Sequence, residues 1–197
     1  MKFNLDRRGL LTGMSAVALA ACTNPPPSPR FPQLTFTHVP AFRLDAATLD
    51  IADAYRPAAG ARDVAQGMPI PPAVAAQRWA RDRLQPVGTA GRILFTVTDA
   101  SVVEVPLQRT SGLRGVVTDD QSERYDGRLA ARIEISDGRG RRGEVSAEAT
   151  RSRTIAEKST LNERDKIWFE ITEALIQDLD KELDTAIRRF LQPFLRP

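Results

Sequence analysis

The stretch that decides the fold is residues 160–194, TLNERDKIWFEITEALIQDLDKELDTAIRRFLQPF. Apolar residues recur at every third or fourth position, from Trp168 to Phe190, which predicts a helix with one apolar stripe. Thr160 and Glu163 have the spacing of a capping box, which starts a helix. At 1.5 Å per residue the helix would be about 45–50 Å long. Propensity alone does not stabilise such a helix, so we expect a sheet to receive its apolar face.

Residues 125–150 supply the central part of that sheet. Apolar and charged residues alternate on both sides of Asp137-Gly138-Arg139-Gly140, whose Asp-Gly pair is typical of a tight hairpin turn. One face of the hairpin is apolar and the other charged, as in an antiparallel sheet with one solvated side. Ion pairs are expected between outward residues of the two strands: Arg128 or Arg132 with Glu144 or Glu148.

The rest of the chain adds strands, a helix and loops. We predict a short edge strand at 34–39, a strand at 48–55, a loop at 56–72, a helix at 73–85 that starts after two prolines, a strand at 92–105 with a bulge at 99–101, and a long irregular segment at 107–124. The predicted fold is α+β: a four-stranded, mainly antiparallel sheet with two helices packed on one face, in the order β-α-β-β-β-α. Residues 34–197 would form this single domain.

The N-terminus has the parts of an export signal. Arg7 and Arg8 precede an apolar run of about a dozen residues, which is too short to span a bilayer. The run ends in Leu19-Ala20-Ala21-Cys22, which resembles the lipobox of bacterial lipoproteins. The resemblance implies that residues 1–21 are a signal peptide and that Cys22 is acylated. More than one acyl chain gives durable membrane attachment.

Two details of this region bear on export and sorting. Residues 6–11, DRRGLL, resemble the twin-arginine export motif, although an ordinary basic signal peptide explains Arg7 and Arg8 equally well. Thr23 follows the cysteine where an aspartate would favour retention in the inner membrane, so the chain is free to reach the outer membrane. Residues 22–33 contain four prolines between 25 and 29 and predict an extended, semi-rigid tether.

Composition argues against nucleic acid as a partner. The whole chain has 28 Lys and Arg against 25 Asp and Glu. Without residues 1–21 the balance is 25 to 24, so the basic excess belongs mostly to the signal peptide. Cys22 is the single cysteine, so an acylated chain forms no disulfide and depends on packing for its stability.

Two patches are candidates for contact with a partner or with lipid. Arginines cluster at the predicted hairpin tip, where they could bind lipid phosphates or could simply be solvated: Arg139, Arg141 and Arg142. In the long loop, apolar residues stand between glycines and arginines, either exposed to a partner or membrane or folded under the sheet: Arg109, Leu113, Arg114, Val116 and Val117.

The sequence contains little that indicates catalysis. His38 is the only histidine, and there is no Cys-x-x-Cys pair, no Gly-x-Ser-x-Gly elbow and no glycine-rich phosphate loop. Asp119 and Asp120 are adjacent acids in a loop, where carboxylates are usually solvated. We therefore expect no enzyme activity, no cofactor and no metal, with a tethered hydrolase that uses this acid pair as the alternative.

The order of elements after the lipobox and the tether resembles the lipopolysaccharide-assembly lipoproteins that plug an outer-membrane barrel. Residues 123–140, ERYDGRLAARIEISDGRG, are similar to that group's tyrosine-bearing strand ending in Asp-x-x-Gly. Auxiliary lipoproteins of lipid-transporting ABC systems are similar at the same level. Either resemblance implies a membrane-anchored envelope lipoprotein that faces the periplasm and binds a protein partner without catalysis, with lipid as a second candidate ligand. A lipoprotein that associates only with copies of itself is a further alternative.

Overall fold

The computed structural model describes residues 31–107, 121–156 and 158–197, with the side chains of 121 and 122 excepted. Its strands and helices, numbered along the chain, are β1 (Phe42–Leu44), β2 (Thr48–Asp53), α1 (Pro72–Arg83), β3 (Leu84–Pro86), β4 (Arg92–Asp99), β5 (Val102–Pro106), β6 (Gln121–Ser136), β7 (Arg142–Ala156) and α2 (Leu161–Phe190).

The sheet is built around β6. Its 16 residues pair with β7 along one edge, in an antiparallel hairpin that runs from Gln121 opposite Ala156 to Ser136 opposite Arg142. Along its other edge, β6 pairs with β5 near its start and with β4 near its end, both antiparallel. β2 lies parallel to β4 at the outside. The order across the sheet is therefore β2, then β4 and β5 in line, then β6 and β7.

The predicted α+β class and its two helices are confirmed. The predicted strand at 92–105 is divided into β4 and β5, so the sheet has five strands that occupy four positions. The division follows from the turn at 99–101, where the Asp99 carboxylate accepts hydrogen bonds from the Ser101 N–H (3.0 Å) and hydroxyl (2.8 Å). The register of β4 against β6 shifts between Val97 and Asp99, just before the predicted bulge at 99–101.

The predicted edge strand at 34–39 is wrong. The Phe36 N–H donates to the Asp82 carboxylate of α1 (2.9 Å), and the Val39 N–H donates to the Phe36 carbonyl (3.0 Å). The segment packs against the helices, so its apolar residues have no neighbouring strand. The strand in this region is β1, which pairs in parallel with β3 in a separate two-stranded sheet that the pattern did not predict.

Both helices pack on the apolar face of the sheet. Trp79 of α1 is fully buried, with its ring centroid 5.7 Å from that of Phe95 on β4. α2 lies along β7 and β6, and Gly127 allows its close approach, because a Cβ there would come within 3.0 Å of Ile171 and Leu175. On α1, Val74 is 51% exposed although the pattern placed it in the apolar stripe. The buried face is formed instead by neighbouring alanines: Ala73, Ala75, Ala76 and Ala80.

The predicted start of α2 is confirmed. The Glu163 N–H donates to the Thr160 hydroxyl (3.3 Å), and the Thr160 N–H donates to the Glu163 carboxylate (2.7 Å). These two bonds close the capping box. The Thr160 N–H and then the Thr160 hydroxyl (3.0 Å) donate to the Glu163 carboxylate and hold its pKa below the usual range. α2 ends at Phe190, before a short 3-10 turn at Gln192–Phe194.

A buried arginine joins the two helices. Arg83 at the end of α1 is 1% exposed, and its guanidinium donates to Asp180 (3.0 Å) and to Asp184 (3.0 Å) of α2. The same guanidinium donates to the Pro40 carbonyl and lies 4.5 Å from the centre of the Phe42 ring. The arginine therefore connects α1, α2 and the segment that leads into β1.

We expect Arg83→Met to lower the free energy of unfolding by about 2–4 kcal/mol, because it leaves the partly buried Asp180 without its cation and removes one of the two arginines that pair with Asp184. Urea unfolding followed by circular dichroism measures this loss. The matched control is Arg81→Met, on an exposed position of the same helix, which we expect to change stability by at most about 0.5 kcal/mol. Equal effects of the two substitutions would contradict a structural role for the Arg83 ion pairs.

Candidate functional site

The hairpin tip is organised by a buried carboxylate. Asp137 is 3% exposed, and its carboxylate accepts the backbone N–H groups of Arg139 (2.8 Å) and Arg141 (3.1 Å). Gly138 and Gly140 have φ values of 69° and 103°, in the region that other residues rarely adopt. The predicted turn is therefore present, and its aspartate is one of its main supports.

Arg141 is half-exposed, but its side chain is bonded into this support. Its Nε donates to the Asp137 carboxylate (2.6 Å), its Nη1 donates to the Pro193 carbonyl (3.2 Å), and its guanidinium lies 5.6 Å from the centre of the Phe194 ring. These bonds attach the hairpin to the C-terminal segment. The Arg141 side chain, followed by the Arg139 N–H, holds the pKa of Asp137 below its usual range.

The other two arginines of the hairpin tip are also exposed, and β4 adds a further exposed arginine beside them. Arg139 and Arg142 both face solvent. Arg92 of β4 lies opposite Ser136, which in turn lies opposite Arg142, so the three side chains form one row across three strands. Because neighbouring strands are about 4.8 Å apart, the Cα atoms of Arg92 and Arg142 are about 10 Å apart. Neither arginine has an ion pair with another residue that the structure describes.

A shallow groove accompanies this row on the outer face of the sheet. Its volume is about 500 Å³, and its lining includes Arg92, Arg142, Leu94, Glu134 and Glu144. Of these two arginines, the sequence pattern predicted Arg142 as a contact residue and did not predict Arg92. Arg92 stands two residues before Leu94, so the alternation of a strand places both on the outer face of β4. The registers of β4 with β6 and of β6 with β7 then bring Arg92 beside the hairpin tip, which the sequence does not show.

A second surface lies at the free edge of β7. A groove of about 330 Å³ separates the strand from the end of α2, between Glu144, Val145 and Ser146 on one side and Ala186 and Phe190 on the other. Phe190 is 59% exposed, whereas its periodic position had predicted that it packs with the stripe. Its ring is covered on one side by Arg189, at 5.0 Å from the ring centre.

The predicted contact loop lies outside the described residues. This applies to Arg109, Leu113, Arg114, Val116 and Val117, to the acid pair Asp119 and Asp120, and to Arg7, Arg8 and Cys22 at the N-terminus. The residues that flank the loop are placed, because β5 ends at Pro106 and β6 begins at Gln121. Both lie at the end of β6 opposite the hairpin tip, about 50 Å away for a 16-residue strand.

Aromatic residues gather close to this loop end. Trp168 stands edge-on to Tyr125, with ring centroids 5.7 Å apart at 87°, and its buried indole N–H has no hydrogen-bond partner among the described residues. Burial, together with a hydrogen bond from the hydroxyl to Glu123 (2.7 Å), raises the pKa of Tyr125. Phe31 stacks on Phe169 with centroids 5.0 Å apart, so the chain enters the domain on the first half of α2.

The described residues contain neither a metal-ligand cluster nor a membrane-spanning helix. Within residues 31–107, 121–156 and 158–197, no three His, Cys, Asp or Glu side chains are arranged to hold a metal ion. In the same ranges, no helix combines the length and the apolar character needed to cross a membrane.

Comparison with known proteins gives structural similarities alone. No protein-family model and no curated protein matches the chain. Rare lipoprotein B from Shewanella oneidensis is similar over 70% of this chain and 92% of its own, at 12% identity and a TM-score of 0.38. A minor lipoprotein from Acinetobacter baumannii is similar over 78% of this chain and 97% of its own, at 15% identity and a TM-score of 0.36. Neither TM-score is high enough to bear on the function of this chain.

The depressed pKa of Asp137 predicts a pH dependence at the hairpin tip. Because folding lowers this pKa, ionised Asp137 stabilises the folded state above about pH 4, and that contribution is lost as the pH falls through the folded-state pKa. We therefore expect Asp137→Asn to lose less stability than the wild-type chain between pH 6 and pH 3, in urea unfolding at each pH. The control is Asp50→Asn, at an exposed position of β2, which should follow the wild-type profile.

Proposed function

We propose that the protein is a lipid-anchored lipoprotein of the bacterial envelope that faces the periplasm, on the outer membrane, and supports membrane assembly or lipid transport by binding a protein partner. It acts without catalysis, cofactor or nucleic acid. The observation that carries this proposal is the one-sided sheet. Both helices pack on one face, which leaves the charged face and the edge of β7 uncovered along the hairpin.

If Cys22 carries the anchor, as we propose, the tether joins the domain nearer one end than the other. Phe31 is held against Phe169, and the nine residues from Cys22 to residue 30 can span at most about 30 Å when fully extended. The loop at 108–120 leaves the sheet at this end, and the hairpin tip lies at the other. In our proposal the loop therefore faces the anchoring membrane or a partner beside it, and the tip projects away from that membrane.

The tip then has the chemistry of a contact with acidic groups. The guanidinium group pairs bidentately with carboxylate and phosphate oxygens, so Arg92, Arg139 and Arg142 suit an acidic partner surface or the phosphates of a transported lipid. The arginines farther along the same face already have partners, because Arg128 pairs with Glu148 (2.6 Å) and Arg132 with Glu144 (3.4 Å). These observed pairs also confirm the predicted cross-strand ion pairs.

The anchor is tested with Cys22→Ala in the full-length chain, expressed in a Gram-negative host. We expect the wild-type chain to be acylated by mass spectrometry and to fractionate with the membrane, and the variant to lose both properties. Thr23→Ala is the matched control and should behave as the wild type. A Cys22→Ala chain that stays in the membrane and captures the same proteins would disprove the lipoprotein proposal.

The tip is tested with the double substitution Arg92→Gln and Arg142→Gln. Loss of two charged contacts should reduce the envelope protein or lipid that is recovered with the full-length chain by about tenfold. The control is Arg128→Gln with Arg132→Gln, which removes the same charge from the same face at positions that are already ion-paired. If both double variants recover as much as the wild type, the tip is not the contact surface.

A further inference from the structure

The edge of β7 that faces away from β6 has no partner strand among the described residues. β7 is 15 residues long, so this edge presents a row of free backbone N–H and C=O groups. Over residues 142–148 the edge borders the groove whose other wall is Phe190 and Ala186. An unpaired edge next to an exposed aromatic ring is a surface that a further strand would complete.

The charges along residues 142–148 are complementary to a second copy of the same stretch. In an antiparallel pair with a two-fold axis at Val145, residue 142 lies opposite 148, and residue 144 lies opposite 146. Among the outward side chains, Arg142 of each copy then faces Glu148 of the other copy, which gives two ion pairs, and Glu144 faces Ser146. Glu148 is exposed and already receives Arg128, and Arg142 has no ion pair with a described residue.

Other registers near this one are less favourable. An axis at Glu144 would place that carboxylate opposite its own copy, and an axis at Ser146 would place Glu144 opposite Glu148. Like charges directly opposite each other destabilise a strand pair. An axis at Ala147 places Arg142 opposite Ser152 and forms no ion pair. An axis at Gly143 would place Arg142 opposite Glu144, but β7 begins at Arg142, so only residues 142–144 of each strand would pair. Charge and strand length together favour the axis at Val145.

The helices fit the same axis. Val145 lies in the groove beside Ala186 and Phe190, so a two-fold axis there brings the two Phe190 rings toward each other. The small side chain of Ala186 permits the close approach of two α2 helices, whose axes pack about 8–10 Å apart. Two exposed rings, each now 59% accessible, would be removed from water together.

We propose that the protein forms a symmetric dimer in which residues 142–148 of two β7 strands pair antiparallel about Val145, so that the two sheets join into one. The dimer uses the β7 edge and the end of α2. It engages Arg142 of the hairpin tip but leaves Arg92, Arg139 and the loop end free for the partner of the proposed function, and it does not depend on that function.

The register is tested by disulfide formation between two differently tagged full-length chains expressed together in the periplasm. One chain carries Glu144→Cys and the other Ser146→Cys. Directly opposite residues have Cβ atoms about 4.5–5.5 Å apart, so we expect a mixed disulfide on a non-reducing gel only when both variants are present. The controls are the wild-type chain, in which Cys22 is the single cysteine, and Asp50→Cys on β2 with either variant.

The contacts are tested by sedimentation of the detergent-solubilised chain. Phe190→Ser and Glu148→Arg should each weaken the dimer by about tenfold, and Arg142→Glu should restore association when combined with Glu148→Arg. Urea unfolding checks that each variant is folded. A wild-type chain that stays monomeric and forms no mixed disulfide would overturn the proposal, as would a dimer that none of these substitutions affects. Cysteines at 144 or 146 that link instead to another envelope protein would also overturn it and would assign the edge to that protein.

Discussion

The structure depends on the buried guanidinium of Arg83. It is bonded to two carboxylates of α2 and to the Pro40 carbonyl, and it lies over the Phe42 ring. Trp79, one turn earlier on α1, donates its indole N–H to Asp180 (2.7 Å), so one carboxylate is shared by two side chains of α1. A buried cation is tolerated only with such partners. The network therefore sets the position of α1 along α2 more strictly than apolar contacts, which are not directional, would do.

That fixed helix pair explains why the sheet is one-sided. α1 covers Phe95 of β4, and α2 covers the hairpin. The apolar face of the sheet is therefore covered by two helices that are bonded to each other. The other face bears the ladder charges with Leu94 and smaller side chains between them, and no described helix covers it. An α+β layer of this kind has two strongly different surfaces: a closed face that supplies stability and an open face with an open edge that is available for binding.

The length of β6 separates the functions that the surfaces can have. The hairpin tip is stiffened by Asp137 and attached to the C-terminal segment by Arg141, so its exposed arginines stand on a rigid support. At the other end, Trp168 and Tyr125 pack against each other near Pro106 and Gln121, the residues between which the long loop lies in the sequence. Phe31 brings the N-terminal segment onto α2 nearer this second end. In the function that we propose, anchoring and recognition therefore occur at opposite ends of one strand and do not compete for residues.

Local patterns were sufficient for much of the fold. The period of α2, its capping box, the hairpin with its Asp-Gly turn and the apolar-charged alternation all depend on residues within a few positions of one another, and the structure has each of them. The resemblance of residues 19–22 to a lipobox is likewise visible in the sequence alone, since a processing signal is a linear motif, and it stays a prediction. By contrast, the 34–39 segment was mistaken for a strand because alternation cannot tell a strand from an extended segment packed on helices.

Only the tertiary structure decided which distant residues share a surface. Arg92 and Arg142 are 50 positions apart, and they form one row with Ser136 because the strand registers put them there. Arg141 and Arg142 are adjacent, yet one is bonded into the support of the tip and the other is free. Phe190 has the period of a buried residue but lies where α2 passes the edge of β7, with no further strand beneath it. Periodicity determines which face of an element is apolar, whereas register and packing determine what that face meets.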